Sequence, residues 1–185
     1  MPPSSPVSEG PAPEPDPARH VVLVGLMGTG KSTVGRRVAE RMGRDFLDSD
    51  VQVEARTGRT VREIFASEGE AVFRRLEAEA LADALARPTP SVVAAAGGVV
   101  LDPGTRERLR NGATAVWLRA EPSVLADRVT RADHRPLLDD GPRAVLERMH
   151  QERSALYEEV ASGRVVDVSS VSIDEAADAV LELVS

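Results

Sequence analysis

The sequence predicts a three-layer α/β/α fold, in which helices cover both faces of a five-stranded parallel sheet. Short apolar runs recur along the chain, and stretches with helical spacing separate one run from the next. The runs are apolar throughout rather than alternating with polar residues, which is typical of strands buried on both faces. A length of 185 residues with 42% hydrophobic content suits one globular domain.

The first unit of this fold is a strand, a glycine-rich loop and a helix. Residues 20–24 are apolar and β-branched, and residues 32–42 place Val34, Val38 and Met42 on one helical face. Between them, residues 25–32 read Gly-Leu-Met-Gly-Thr-Gly-Lys-Ser, a full match to the phosphate-binding pattern G-x-x-x-x-G-K-[ST]. The order of strand, loop and helix is the context that this pattern requires.

The rest of the chain continues the alternation of strands and helices. We expect strands at residues 46–48, 91–95, 115–118 and 165–168. We expect helices at residues 61–65, 70–85 and 122–130, a long helix ending at 157, and a last helix at 173–183. A polar segment, residues 131–141, separates two of these helices. Ligands of such sheets bind at the carboxyl ends of the strands.

The composition bounds the class of protein. Residues 1–19 are rich in Pro, Ser, Ala and acidic groups, so we expect a disordered leader there and one domain over residues 20–185. The net charge of −7 argues against a nucleic-acid partner. The leader lacks the apolar core of a signal peptide, and no apolar run reaches the roughly 20 residues of a membrane span. With no cysteine for disulfides, a cytoplasmic location is the simplest expectation.

Lys31 is the only lysine in the chain, and it occupies the lysine position of the glycine loop. A compact ammonium suits a place between the β- and γ-phosphates of a nucleotide better than a planar guanidinium does. The loop and the helix N-terminus offer backbone N–H groups to phosphate, and the Ser32 hydroxyl can ligate Mg²⁺. The alternative is a glycine-rich turn that binds nothing.

Two carboxylates, Asp48 and Asp50, follow the second predicted strand. Residues two apart in an extended chain project to the same side, so both carboxylates are expected to face the mouth of the glycine loop. One can hold Mg²⁺ through water while the other orients an acceptor hydroxyl and takes its proton. The alternatives are a solvated acidic turn or a helix N-cap before Val51.

Arginines form the third group of candidates. Arg74 and Glu77 share a helix face at i, i+3, while Arg75 points elsewhere; the alternative here is an ordinary surface ion pair. Gly97 and Gly98 follow the third strand, where a ligand can approach backbone N–H groups. Further arginines lie at 128, 135 and 153. A substrate carboxylate suits the arginine fork, and a closing lid suits an arginine on the γ-phosphate.

From residue 20 to 184 the chain resembles the shikimate kinases, a family with the P-loop fold of nucleoside monophosphate kinases. The motifs that carry the resemblance are the glycine loop with Thr33-Val34-Gly35, then Leu47-Asp48-Ser49-Asp50, Ile64-Phe65 with Glu68-Gly69-Glu70, Phe73-Arg74-Arg75-Leu76-Glu77, Arg135-Pro136-Leu137-Leu138 and Arg153-Ser154-Ala155-Leu156-Tyr157. Two positions depart from the family pattern. Ala96 replaces the first of three usual glycines, and residues 171–173 lack the Arg or Asn and Pro often found beside adenine.

The resemblance implies a role for each matched position. Lys31, Asp50 and Arg135 would be catalytic, with Arg135 on a mobile lid over residues 131–141. Ser32 would bind Mg²⁺ directly and Asp48 would reach it through water. ATP would be held by Gly28, Thr29, Gly30, Lys31, Ser32, Thr33, Arg128 and Arg135, with Arg128 on adenine. Shikimate would be held by Asp50, Arg74, Glu77, Gly97, Gly98 and Arg153.

The implied reaction is transfer of the γ-phosphate of ATP to the 3-hydroxyl of shikimate by a monomeric enzyme of chorismate biosynthesis. A gluconate-type kinase would share the glycine loop and acidic pair but would not need the arginine set around Arg74, Arg135 and Arg153. A P-loop module that only binds would be expected to have lost Lys31, Asp50 or Arg135, and all three are present.

Overall fold

A computed structural model describes residues 16–130 and 141–185. Five strands are present, β1 (His20–Val24), β2 (Phe46–Asp48), β3 (Val92–Ala94), β4 (Ala113–Arg119) and β5 (Val165–Asp167). The helices are α1 (Lys31–Met42), α2 (Ser49–Thr57), α3 (Val61–Leu85), α4 (Pro103–Gly112), α5 (Pro122–Thr130), α6 (Pro142–Ala161) and α7 (Ile173–Val184), with a short 3₁₀ turn at Val99–Leu101.

The five strands form one parallel sheet in the order β2-β3-β1-β4-β5. Helices α1 and α7 pack together against this sheet, and α4, α5 and α6 form the second helical layer. The predicted three-layer fold is therefore confirmed. Strand β1 lies in the middle of the order, so the loop that follows it opens between its neighbours β3 and β4.

Strand β1 is buried along its whole length, as its uninterrupted apolar sequence predicts. The α1 face predicted from helical spacing also packs inward, because Val34 and Val38 are buried and Met42 packs against the core. A second, smaller cluster of Val53, Ile64, Phe73 and Ala80 joins α2 to α3. Burial of these apolar side chains is the main favourable contribution to folding.

Helices α2 and α4 are absent from the sequence prediction. The segment Asp48 to Asp50 is not extended, because Asp48 is the N-cap of α2 and its Oδ1 accepts from the N–H of Asp50 at 3.1 Å. In α4, Asp102 caps the helix and Pro103 occupies its first turn. Few α4 side chains are buried, so its sequence lacks a clear apolar face.

Helix α3 is interrupted at Gly69, where the backbone leaves the helical region with φ 81° and ψ 175°. The predicted pair of helices, residues 61–65 and 70–85, therefore corresponds to the two halves of α3. Thr60 and Glu63 form a capping box at the first N-terminus. Because Gly69 tolerates a left-handed φ, the chain can restart as a helix at Glu70.

Part of the predicted leader, residues 16–19, forms a turn against the domain. Arg44 donates to the carbonyl oxygens of Pro17 at 2.7 Å and of Arg19 at 3.0 Å. The remaining leader, residues 1–15, and the predicted lid, apart from Gly141, lie outside the described residues. Their predicted disorder and motion stay predictions.

Gly25 is the position where the loop and the sheet approach most closely. Its φ is 142°, and a Cβ built there would overlap the carbonyl oxygen of Leu118 in β4. We expect Gly25→Ala to lower the free energy of unfolding by at least about 2 kcal/mol, because strain and overpacking add. Chemical denaturation measures this. Gly112→Ala is the matched control, since a Cβ there meets no atom within 4 Å, and equal stability of the two variants would contradict the packing argument.

Candidate active site

A cavity of about 680 Å³ lies at the carboxyl ends of β1, β2 and β3. It collects thirteen of the fifteen predicted site residues, which are Gly28, Gly30, Lys31, Ser32, Thr33, Asp48, Asp50, Arg74, Glu77, Gly97, Gly98, Arg128 and Arg153. Thr29 lies within the glycine loop but does not line the cavity, and Arg135 lies outside the described residues. Segments distant in sequence thus meet where parallel strands end.

The glycine loop turns twice through left-handed backbone, at Gly28 with φ 82° and at Gly30 with φ 85°. Gly30 is also the N-cap residue of α1, so the loop leads directly into a helix N-terminus. Lys31 Nζ donates to the carbonyl oxygens of Gly25 at 2.9 Å and Leu26 at 3.0 Å. The buried Thr29 hydroxyl also donates to Leu26, at 2.8 Å, and so holds the loop together.

Ser32 and Asp48 meet beside the glycine loop. The Ser32 hydroxyl donates to Asp48 Oδ2 at 2.5 Å, while Asp48 Oδ1 caps α2. Two hard oxygen donors next to a phosphate-binding loop fit Mg²⁺, which takes few protein ligands and keeps water and phosphate oxygens. Asp50 lines the same cavity from the first turn of α2. The two carboxylates share the cavity because a helix begins between them, not because the chain is extended.

Arg74 is held by carboxylates on its own helix. Its Nη1 donates to Glu77 Oε2 at 2.7 Å, and its Nε and Nη2 donate to Glu70 Oε1 at 3.1 and 2.8 Å. Gly98 fits against the flat guanidinium, since a Cβ built there would overlap Arg74 Nη1. The predicted i, i+3 contact with Glu77 is present, and Arg75 points away, near Glu79.

Glu77 is buried, with 3% of its side chain exposed, so its contact with Arg74 is not a surface ion pair. Burial raises the pKa of Glu77 to about 7, and the nearby Asp50 adds to the rise, although Arg74 and Arg153 oppose it. Burial likewise disfavours the charge of Arg74, but Glu77 and Glu70 outweigh it and raise the pKa of Arg74. The pair therefore places a positive guanidinium at the cavity wall.

Gly97 joins the loop after β3 to helix α6. Its carbonyl oxygen accepts from the Tyr157 hydroxyl at 2.7 Å and from Arg153 Nη1 at 3.3 Å. Tyr157 is fully buried and stacks on Trp117 with ring centroids 5.7 Å apart. Burial raises the pKa of the Tyr157 hydroxyl above its usual value, so it stays a donor. Arg153 Nε is buried and has no hydrogen-bond partner within the described part of the chain, so it can donate to an anionic ligand.

The N–H of Ala96, the position that departs from the family glycines, is used internally. It donates to the hydroxyl of Ser49 at 2.8 Å, and Ser49 is completely buried between Asp48 and Asp50. This hydrogen bond fixes the loop after β3 to the start of α2. The Ala96 N–H is therefore already satisfied, while Gly97 and Gly98 remain at the cavity wall.

Arg128 reaches the loop after β5, which lies on the far side of the glycine loop from Arg74. Its Nη2 donates to the carbonyl oxygens of Val168 at 2.8 Å and Ser169 at 3.3 Å. The guanidinium is thereby fixed between α5 and the segment that leads into α7. A planar cation in this place is suited to stacking on a nucleotide base.

Three residues with contacts in the site received no role from the sequence. Tyr157 is the only tyrosine and lies four residues after Arg153, a helical spacing that places both on one face. Glu70 lies four residues before Arg74, so the same rule could have found it. Ser49 has no comparable local signal, because its burial depends on a contact with the loop after β3, 47 residues later in the chain.

The fold and the site define a P-loop kinase, an ATP-dependent enzyme that acts on a small molecule. The family model described as shikimate kinase matches residues 27–185, and the chain belongs to that family. It is 46% identical to the shikimate kinase of Paramagnetospirillum magneticum over 87% of this chain and 80% of that protein. It is also 46% identical to the shikimate kinase of Burkholderia pseudomallei, over 79% of each chain.

A solved structure supports the same assignment. The shikimate kinase from Acinetobacter baumannii, solved in complex with shikimate, matches with a TM-score of 0.85 and 36% identity, over 90% of this chain and 92% of that one. The predicted family, fold and kinase class, with ATP as co-substrate, are confirmed. Among the described residues, no helix has both the length and the apolar character to cross a membrane.

Burial raises the pKa of Glu77 from 4.5 to about 7 in the folded protein. Between these two values the folded protein binds a proton that the unfolded chain does not, so stability falls as pH rises through this range. Relative to Glu77→Gln, we expect the free energy of unfolding of the wild type to fall by on the order of 3 kcal/mol as pH rises from the ordinary pKa to the raised one. Above the raised pKa the difference between the two proteins should not change further. Denaturant unfolding of both proteins across pH 4 to 8 measures this. A stability difference that does not change with pH would contradict the account.

Proposed function

We propose that this chain transfers the γ-phosphoryl group of ATP to the 3-hydroxyl of shikimate with the residues of the cavity described above. The observation that carries this proposal is that one cavity combines a phosphate-binding loop, the carboxylate of Asp50 and two guanidinium groups, Arg74 and Arg153. Phosphoryl transfer needs positioning and charge stabilisation more than covalent chemistry. The cavity supplies both, and its arginines suit an acceptor that carries a carboxylate.

The nucleotide is assigned to the glycine-loop end of the cavity. Lys31 would exchange its contacts with the loop carbonyls for the β- and γ-phosphates, and the backbone of residues 28–33 would cradle the phosphates. Arg128, fixed by the carbonyl of Val168, would stack on adenine. Ser32 would bind Mg²⁺, with Asp48 reaching it through water. When bound, Mg²⁺ neutralises charge that develops on the phosphate oxygens.

Shikimate is assigned to the Arg74 end. Its carboxylate would bind between Arg74 and the Nε of Arg153, which is buried without a partner within residues 16–130 and 141–185. Glu77 fixes one edge of the Arg74 fork, so the guanidinium is oriented before substrate arrives. Gly97 and Gly98 would contact the ring of shikimate. The matched positions in the family support these roles.

Asp50 is assigned to the reacting hydroxyl. Its carboxylate would accept a hydrogen bond from the 3-hydroxyl and take the proton as the hydroxyl oxygen bonds to the γ-phosphorus. The bond from the γ-phosphorus to the bridging oxygen breaks, and ADP leaves. The proposal also includes a catalytic role for Arg135 on a lid over residues 131–141, a monomeric state and a cytoplasmic location. These parts rest on the sequence alone.

The direct test measures ADP release with ATP, Mg²⁺ and a panel of acceptors. We expect release with shikimate and little with gluconate or nucleoside monophosphates. A nucleoside monophosphate has no carboxylate for Arg74 and Arg153, and gluconate is acyclic, so its carboxylate and hydroxyls are not held at the fixed separation that the shikimate ring provides between Arg74 and Asp50. Mass spectrometry of the product should show one added phosphoryl group. The proposal is wrong if gluconate or another acceptor is phosphorylated while shikimate is not.

Substitutions should separate binding from chemistry. Arg74→Ala should raise the KM for shikimate about 10- to 100-fold, because charge-assisted hydrogen bonds to the carboxylate are lost. Arg74→Lys should rescue it poorly, since one ammonium cannot reproduce the fork. Asp50→Asn should instead lower kcat about 10²- to 10⁴-fold. Steady-state kinetics with varied shikimate distinguishes the two effects.

The exposed neighbour Arg75 offers a matched control for Arg74. It lies on the same helix and its one ion pair among the described residues is a 3.7 Å contact with Glu79. Arg75→Ala should leave both kinetic constants close to those of the wild type. Equal losses of kcat with unchanged KM in Arg74→Ala and Asp50→Asn would refute the division of roles.

A further inference from the structure

Each of the three guanidinium nitrogens of Arg74 donates a hydrogen bond to a carboxylate of the protein itself. Arg74 Nη1 donates to Glu77 at 2.7 Å, and its Nη2 and Nε donate to one oxygen of Glu70 at 2.8 and 3.1 Å. The Nε and Nη2 edge is one of the two edges through which a guanidinium binds a carboxylate with two parallel hydrogen bonds. Glu70 thus already fills a carboxylate position on the arginine that is assigned to the substrate.

The two carboxylates differ in how firmly they are held. The side chain of Glu77 is 3% exposed, whereas that of Glu70 is 56% exposed. A buried carboxylate cannot leave its partner without a large desolvation penalty, but an exposed one is hydrated as soon as it leaves. Glu77 is therefore a fixed partner of Arg74, and Glu70 is a replaceable one.

Arg74 itself is held in place while Glu70 is not. Gly98 packs against the face of the guanidinium, and the Phe73 ring lies 5.7 Å from its central carbon. Glu70 is the first residue after the helix interruption at Gly69, where a Cβ would meet no atom within 4 Å. The side chain of Glu70 can turn into solvent without disturbing packed neighbours. Exchange of one carboxylate for another can then occur on a stationary arginine.

We propose that Glu70 is an internal substitute for the substrate carboxylate, which occupies the outer edge of the Arg74 fork until shikimate displaces it. This inference rests on the proposed assignment of Arg74 to shikimate. Glu70 makes the site selective, because an acceptor without a carboxylate has no group that replaces Glu70 on Arg74. The selectivity is obtained at the expense of some affinity, since shikimate must break an existing ion pair.

The test is Glu70→Gln, which removes the competing charge and keeps the size of the side chain. We expect the KM for shikimate to fall about two- to fivefold, the range that an exposed ion pair supports, with the change in KM rather than in kcat. The KM ratio between wild type and variant should approach one as salt rises from 0.05 to 0.5 M, because salt screens the exposed pair (about 0.1 M gives a Debye length of ~10 Å). Glu79→Gln, the same charge change on the same helix, should leave KM unchanged.

The outcomes separate this inference from the proposal on which it rests. If Arg74→Ala raises KM but Glu70→Gln leaves it unchanged or raises it, Glu70 orients Arg74 instead of competing, and the inference is overturned. If Arg74→Ala itself leaves KM unchanged, the assignment of Arg74 to shikimate fails first. In the Arg74→Ala background, Glu70→Gln should have no effect on KM, because the guanidinium for which Glu70 and the substrate compete is absent.

Discussion

The contact between the buried carboxyl group of Glu77 and Arg74 is the interaction on which the Arg74 end of this cavity depends. A carboxylate with 3% of its side chain exposed is tolerated only with a hydrogen-bonded partner or a proton. The pKa of Glu77 is raised because burial disfavours the charge more than Arg74 and Arg153 favour it. Because Glu77 cannot move away, Arg74 cannot either. Gly98 then has to be a glycine, since any side chain there would occupy the place of the guanidinium.

The same rigidity extends from this pair to the rest of the cavity. The Gly97 carbonyl ties Tyr157 and Arg153 of α6 to the loop after β3, and Ser49 ties that loop to α2. At the other end, the glycine loop lies against β4 through Gly25. The glycine-loop end and the Arg74 end of the cavity are therefore both fixed at the carboxyl ends of the strands. Such preorganisation is what phosphoryl transfer requires of a protein.

The sequence predicted the elements whose signal is local. The glycine loop is contiguous, and β1 and α1 carry clear apolar patterns, so Lys31 and Ser32 were placed correctly beside a helix N-terminus. The sequence predicts the acidic pair in the correct cavity but with an incorrect local geometry, because Asp48 ends β2 and caps α2, so that Asp50 lies in a helical turn rather than on a continuing strand. The burial of Glu77 depends on tertiary packing, which no local pattern encodes. The i, i+4 spacing indicates a contact between Glu70 and Arg74, but not that Glu70 and Glu77 bond to different nitrogens of one guanidinium.

The measurement that tests this account most directly is a crystal structure of the protein with shikimate and ADP. The account expects the shikimate carboxylate on the outer edge of Arg74 and on Arg153, Glu77 still bound to Arg74 Nη1, and Glu70 turned to solvent. The 3-hydroxyl should lie within hydrogen-bond distance of Asp50. Arg62 also lines the cavity. A shikimate carboxylate bound at Arg62, with Glu70 still on Arg74, would contradict the account.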